Sequence, residues 1–296
     1  MAAKLGVIGL GIMGGSISAN LVKAGFVVAG YDVLDDKVAA HAARGGQAAR
    51  SVADVAAHAD IIVTSLPSVA ALDQVTDALR SAARNDIVVI ECSTFPIDDK
   101  QRAHDVLAQA GIALLDCPLS GTGAQAVTKD LVVYASGARA AHERCAGVFD
   151  GFARATYFLG AFGNGSEMKF VANLLVSIHN VATAEAFTLG MKAGLDPQQI
   201  LEVVGAGAGV SRVFQLRGPM MVAGKYDDAS MKIDVWQKDV KVIGEFAAKL
   251  GCPTPLFAAA QPIYAAAMAQ GHALEDTAAV CAVLEEMARV KRPASA

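Results

Sequence analysis

The sequence predicts a doubly wound α/β domain with a mostly parallel sheet, followed by an all-α domain joined to it by one long helix. Three observations carry this. Over the first half, short apolar runs rich in Val and Ile alternate with Ala-rich amphipathic stretches, the pattern of βαβ units. Near Gly160 that alternation stops, and beyond Gly163-Asn164-Gly165 no convincing strand remains. From there to the end the periodicity is helical.

Taken in order, Leu5–Gly9, Val27–Tyr31, Ile61–Leu66, Ile87–Glu91 and Ala113–Asp116 read as buried strands. Asp35–Arg44 and Val69–Ala83 are examples of the helices between them. Leu131–Ser136 and Thr156–Leu159 are two further strands, expected to extend the same sheet. Ser166 is placed to cap a helix running to about Ala193, roughly 28 residues or ~42 Å at 1.5 Å per residue. Gly194 stops it and Pro197 opens the next. Further helices are expected at about 197–205, 211–223, 231–250, 256–270 and 276–290, with Pro219 and Pro262 kinking or interrupting two of them. The expected domains are 1–162 and 163–296, with a frayed tail from Lys291 to Ala296.

The composition narrows the function. A chain of 296 residues with 54% hydrophobic and 18% charged residues can build two ordinary cores. A net charge of −4 offers neither a basic stripe for nucleic acid nor a polybasic patch for a membrane surface. Small molecules and further copies of the chain are the expected partners. The five cysteines, Cys92, Cys117, Cys145, Cys252 and Cys281, show no CxxC or Cys/His spacing, so no metal site is expected. They read as reduced thiols of a cytoplasmic enzyme. Glycines interrupt the apolar start, Leu5 to Met13, which argues against a targeting segment.

Gly9-Leu10-Gly11-Ile12-Met13-Gly14 is a GxGxxG run between a predicted strand and a predicted helix. Its glycines serve a tight turn, close backbone approach to a pyrophosphate and close helix–strand packing, and the helix N-terminus offers N–H groups to phosphate. Asp32 ends the second strand, where an acid accepts the ribose hydroxyls of NAD and repels the 2′-phosphate of NADP. Val33 and Leu34 follow it, so no arginine stands ready to neutralise that phosphate. The expected site is a Rossmann dinucleotide site, and the expected cofactor is NAD.

Lys169 and Asn173 lie four apart on the long helix and share a face. A partly desolvated lysine can exchange a proton with a hydroxyl, and an asparagine can hold the oxygen as its charge changes. On spacing alone, a solvated helix lysine is the commoner occupant of such a position.

These motifs, with Asp116-Cys117-Pro118-Leu119-Ser120-Gly121, Gly163–Asn173 and Lys238-Asp239, resemble in order and spacing those of the β-hydroxyacid dehydrogenase family. The resemblance spans essentially the whole chain. It implies hydride transfer between nicotinamide and a small β-hydroxy acid, of the 3-hydroxyisobutyrate or threonate kind. By the same resemblance Lys169 is the general acid/base and Asn173 the hydroxyl partner. Ser120, Gly121 and the backbone of Thr122 would hold the substrate carboxylate, and Lys238 would close over nicotinamide and substrate. Asp239 would be a structural companion. Leu66-Pro67 and Ser93-Thr94 would flank the adenine side and the nicotinamide ribose.

The chain departs from the family pattern at Thr122, where a second glycine is usual, and at Met231, where an aromatic is usual. The usual Asn pair is reduced to Ala172-Asn173. Trp236 is the only tryptophan and is expected to wall the pocket. Arg212 and Arg217 could bind a second carboxylate or a hydroxyl-rich tail, or could be surface residues. His179 reads as a satisfied core residue. Two alternatives stand beside the main reading: an NADPH-dependent semialdehyde or imine reductase, against which Asp32 and Lys169 argue, and a non-catalytic binding homologue. Apolar stretches such as Phe257–Ala260 and Tyr264–Met268 suggest a homodimer or homotetramer.

Overall fold

The computed structural model describes residues 4–82 and 84–292. Contacts divide the chain into two units, 1–169 and 170–296.

In the first unit the chain runs through β1 (Lys4–Ile8), α1 (Ile12–Lys23), β2 (Val27–Tyr31), α2 (Asp35–Ala43), β3 (Gln47–Ala48), α3 (Val52–His58) and β4 (Ile61–Thr64). It continues through α4 (Val69–Ser81), β5 (Val88–Glu91), α5 (Ile97–Gln109) and β6 (Ala113–Asp116). The six strands form one parallel sheet in the order β3-β2-β1-β4-β5-β6. This is the doubly wound order, in which the strand direction of progression reverses beside β1. The strands read as continuous apolar runs because both faces are covered. Val7, Ile61, Val63, Val88 and Ile90 enter one core with Ile17, Leu21, Phe149 and Phe152. Ile8, Ile62 and Val89 enter the other with Val55, Leu72, Leu79 and Phe95. The alternation follows from the two-residue period of a strand.

The last strands correct the expectation. β7 (Leu119–Ser120), α6 (Gly123–Val127), β8 (Val132–Ala135), α7 (Arg139–Arg144), α8 (Ala146–Phe152) and β9 (Ala155–Phe158) follow β6. β8 and β9 do not extend the six-stranded sheet. They form a separate one with β7, in the order β7-β8-β9, tied to β6 by the Asp116–Ser136 bridge. Pro118, two residues after the end of β6, has no N–H with which to continue a ladder. The short β3 and β7, only two residues each, gave no periodic signal.

The long helix, α9, spans Asn164–Lys192 and crosses the division between the units. Ser166 does not cap it; it lies within the first turn, and the carboxylate of Asp116 takes its N–H and its hydroxyl. By length and composition α9 could cross a membrane, with a mean hydropathy of 1.2 over an 18-residue window. Its buried polar residues speak for a core helix: Asn180 donates to Tyr264 Oη and to the Thr277 carbonyl, and Tyr264 Oη donates to the Ser177 carbonyl.

Helices α10 (Pro197–Gly205), α11 (Arg212–Ala223), α12 (Ile233–Lys249) and α13 (Pro255–Ala269), a 3-10 turn at Thr277–Ala279 and α14 (Val280–Ala288) complete the second unit. Pro219 and Pro262 lie inside α11 and α13 without interrupting them. Each removes one backbone donor, and buried neighbours such as Met221 and Tyr264 hold the helices in place. Phe257 and Tyr264 are core residues, while Ala258, Ala259, Ala265 and Met268 of the same apolar stretches are exposed. Arg292 is anchored rather than frayed, donating to Glu285 Oε1 and to the Met221 carbonyl, both at 2.6 Å. The end of the predicted Val69–Ala83 helix and the tail beyond Arg292 lie outside the described residues.

Candidate active site

The Gly-rich turn leaves the C-terminal end of β1. Gly9 has φ +85°, and its N–H donates to the Tyr31 carbonyl at 2.9 Å. A Cβ on Gly9 would strike the Ser65 carbonyl, and one on Gly14 would strike the Gly9 carbonyl. These two glycines are required by the turn and by the approach of α1. Gly11 is different. It is exposed, and a Cβ there would meet nothing within 4 Å. It precedes α1 and supplies no side-chain cap, which leaves the first N–H groups of the helix for an anion.

Asp32 follows β2 and is half-buried. One carboxylate oxygen accepts from Leu10 N–H at 2.6 Å and the other from Leu34 N–H at 3.0 Å. The acid thus ties the Gly-rich turn to the end of β2. Val33 and Leu34 beside it are exposed apolar residues. Leu66 N–H donates to Ser93 Oγ at 2.8 Å, so the segments carrying Leu66-Pro67 and Ser93-Thr94 are held together. An open backbone turn, an uncapped helix start and an acid after β2 fit a nicotinamide dinucleotide, and Gly9–Gly14 and Asp32 are the residues that could hold it.

Ser120 and Gly121 lie at the end of β7, half-buried, with Gly121 at φ +137°. Thr122 differs from expectation in one respect. Its N–H, assigned to the substrate carboxylate, donates to Gln125 Oε1 at 3.0 Å, and Gln125 in turn donates to Asp130. The Gln125 side chain thus takes the Thr122 N–H as one half of a capping box at the start of α6.

Lys169 is half-buried on α9, three residues after Ser166. Asn173, one turn on, is buried, and its Nδ2 donates to Asp239 Oδ2 at 2.8 Å. The carboxylate partner fixes which end of the amide is nitrogen. Asp239 is therefore the companion that orients Asn173. Lys238 is exposed on α12.

Trp236 is buried in the helical core, 6.4 Å from the Tyr264 ring. Arg212 is exposed and bonds Gln215. Arg217 is neither a surface residue nor open to a ligand: it is buried, with Nε 3.1 Å from Asp276 Oδ1. His179 is half-buried.

Sequence reasoning missed Lys100. Its Nζ lies 2.6 Å from Glu91 Oε2 and 2.7 Å from Asp116 Oδ1, all three side chains being at most 1% exposed. Burial alone would push the ammonium pKa down, but the two carboxylates raise it further than burial lowers it. The reason for this lysine emerges only once β5 and β6 pair. Glu91 and Asp116 end adjacent strands at the same register, and Lys100 sits on the helix that connects them. Two buried acids side by side demand a cation.

Comparison with known proteins meets this geometry. A family model described as the NAD binding domain of 6-phosphogluconate dehydrogenase matches residues 4–160. A second, described as NAD-binding of NADP-dependent 3-hydroxyisobutyrate dehydrogenase, matches residues 163–284. The chain belongs to the β-hydroxyacid dehydrogenase family. Among its relatives is 2-(hydroxymethyl)glutarate dehydrogenase of Eubacterium barkeri, 32% identical, covering 97% of this chain and 96% of the relative. Another is L-threonate dehydrogenase of Cupriavidus necator, 32% identical over 95% of both chains. The structure of Mycobacterium tuberculosis 3-hydroxyisobutyrate dehydrogenase with L-serine is similar at a TM-score of 0.88 and 29% identity, covering 96% of this chain and 99% of that one. An imine reductase from Myxococcus stipitatus shares the fold alone, at 17% identity and a TM-score of 0.65. As a family member this chain is an NAD(P)-dependent hydroxyacid dehydrogenase.

Proposed function

We propose that this dehydrogenase uses NAD and oxidises a small β-hydroxy acid, with Lys169 taking the hydroxyl proton. The observation that carries the reading is the ordered turn of α9 bearing Lys169 and Asn173, in which Asn173 is buried and its amide is aligned by Asp239. An aligned donor one turn from a lysine suits a reaction in which an oxygen loses its proton and gains carbonyl character. Ser120 and Gly121 hold the substrate carboxylate, and Lys238 covers the reacting end. When bound, the nicotinamide supplies the hydride acceptor. Asp32 selects NAD, supported by its position after β2 and by the apolar pair Val33 and Leu34 in place of a cation.

The substrate is a three- to six-carbon acid with a hydroxyl on the β carbon. 2-(Hydroxymethyl)glutarate, L-threonate and L-serine, which the names of relatives supply, all have this arrangement. The working assembly is a homodimer or homotetramer, a reading supported by exposed apolar residues along α9, among them Val171, Leu175 and Leu189.

Lys169→Ala is the test. Turnover is expected to fall by about three orders of magnitude or more, in the range of a lost acid/base group, while NAD binding by fluorescence titration is retained. A near-wild-type rate refutes the assignment. Assaying 3-hydroxyisobutyrate, glycerate, L-threonate, L-serine and 2-(hydroxymethyl)glutarate with NAD then ranks the substrates, with the γ-hydroxy acid 4-hydroxybutyrate as the expected poor one.

A further inference from the structure

We propose that Asp116, held by Lys100 and Glu91, is a positioning residue that sets the first turn of α9 and, through it, the orientation of Lys169. The proposal rests on the reading of Lys169 as the proton-transfer group and supplies the machinery behind it.

Glu91, Lys100 and Asp116 put two carboxylates and one ammonium where water does not reach. One negative charge is left to be offset, and the start of α9 does so. Ser166 donates its N–H to Asp116 Oδ2 at 2.7 Å and its hydroxyl to Asp116 Oδ1 at 2.8 Å. Ser136 Oγ donates to Asp116 Oδ2 at 3.2 Å and accepts the Gly165 N–H at 3.0 Å. The positive end of a 29-residue helix thus rests on a buried carboxylate. Gly165 tightens the seat: a Cβ there would collide with the carbonyls of Tyr134 and Asp116. Lys169 follows Ser166 by three residues, so a turn fixed at Ser166 fixes the direction in which the Lys169 side chain leaves the helix.

The same residue governs the neighbouring segment. Asp116 exchanges backbone bonds with Ser136 at 3.0 and 2.8 Å, and its chain leads through Cys117-Pro118-Leu119 to Ser120. On the other side, Glu91 Oε1 accepts from Ser93 N–H at 2.8 Å, and Ser93 Oγ accepts from Leu66 N–H at 2.8 Å. One buried polar chain therefore runs from the segments expected to flank the cofactor to the helix turn preceding Lys169. A buried ionic group of this kind adds little stability over a well-packed apolar one. What it adds is angular definition, and catalysis is sensitive to displacements of about 1 Å.

The experiment uses the full-length protein with its lysines 13C-dimethylated, the Lys169 resonance being assigned by its loss in Lys169→Arg. The variants are Ser166→Ala, Ser166→Thr, Ser136→Ala and Asp116→Asn, each first checked for folding by circular dichroism. In folded Ser166→Ala and Asp116→Asn the Lys169 titration midpoint should move by about half a pH unit or more. With NAD and L-threonate, 3-hydroxyisobutyrate and L-serine assayed in parallel, kcat should fall about tenfold or more while KM for NAD stays within about twofold. Ser166→Thr, which keeps the hydroxyl, should restore both values. Should Asp116→Asn fail to fold, Ser166→Ala and Ser136→Ala decide the matter. Folded variants with wild-type kcat and Lys169 titration overturn the proposal, as does a failed rescue by threonine. If Lys169→Ala itself stays active, the acid/base reading falls, and the resonance shift alone still decides whether Asp116 positions the lysine.

Discussion

Asp32 has one task in the fold and a second that we propose, the selection of NAD. Its carboxylate clamps Leu10 N–H at 2.6 Å, and it stands where a ribose would arrive. Asp32→Ala is expected to lower the NAD-over-NADP ratio of kcat/KM by about tenfold or more, since the charge that repels a 2′-phosphate is gone. KM for NAD should rise as well, because the turn loses its tie. Steady-state titration with both cofactors measures this, and an unchanged ratio removes Asp32 as the selector. Gly14→Ala probes the same turn by bulk: its Cβ would strike the Gly9 carbonyl, so the folded variant should lose measurable NAD binding by calorimetry. Both residues were legible in the sequence because a GxGxxG turn and an acid at the end of the next strand are local requirements. Lys100 was not, since its reason is two acids that meet only when β5 and β6 pair.

Among the elements, α11 shows how a sequence candidate becomes a structural one. Arg217 could have faced a ligand, but its buried guanidinium binds Asp276, which also accepts from the N–H groups of Ser230, Met231 and Ala278. Arg217→Met should destabilise the protein by about 3–5 kcal/mol in urea, the usual result of leaving a buried charge unpaired. A change under about 1 kcal/mol would contradict the burial. Burial pushes the Asp276 pKa up, but Arg217 and the backbone donors outweigh it, so the carboxyl is held below its ordinary value. An acid with a depressed folded pKa contributes stability that is present above the unfolded value of about 3.9 and is lost as pH falls through the folded one. Urea melts between pH 3 and 6 should therefore show a shallower acid loss for Asp276→Asn than for the wild type. Coincident slopes would exclude Asp276 as a source. Helix α11 itself was expected at about 211–223 from the helical pattern, whereas the role of Arg217 depended on a residue 59 positions away.

For the whole molecule, the proposed homodimer or homotetramer rests on the exposed apolar residues of α9. Val171, Leu175 and Leu189 are 54%, 47% and 74% exposed. Multi-angle light scattering should give a mass at least twice the 30.4 kDa of one chain. Leu175→Glu together with Leu189→Glu should lower that mass toward one chain, because a buried unpaired carboxylate is costly. A wild-type monomer at micromolar concentration would exclude the dimer and the tetramer alike. At this scale the sequence foretold an α/β half and a helical half, and erred where strands pair. β8 and β9 carry the right pattern but lie in their own sheet, since pairing partners are chosen by the chain's path after Pro118 and not by the pattern itself.

The sequence by itself determined the alternating β/α order, the glycine turn with its acid and the family to which the chain belongs. Each depends on short-range spacing, which periodicity and turn chemistry write directly into the chain. Tertiary structure alone decided that Asp116 and not Ser166 caps the long helix, that Asp239 orients Asn173, that Arg217 is spent on Asp276 and that Lys100 bridges two acids. These are contacts between residues distant in the chain. A buried polar group must find its partner wherever the fold brings one within about 3 Å, and no local pattern names that partner in advance.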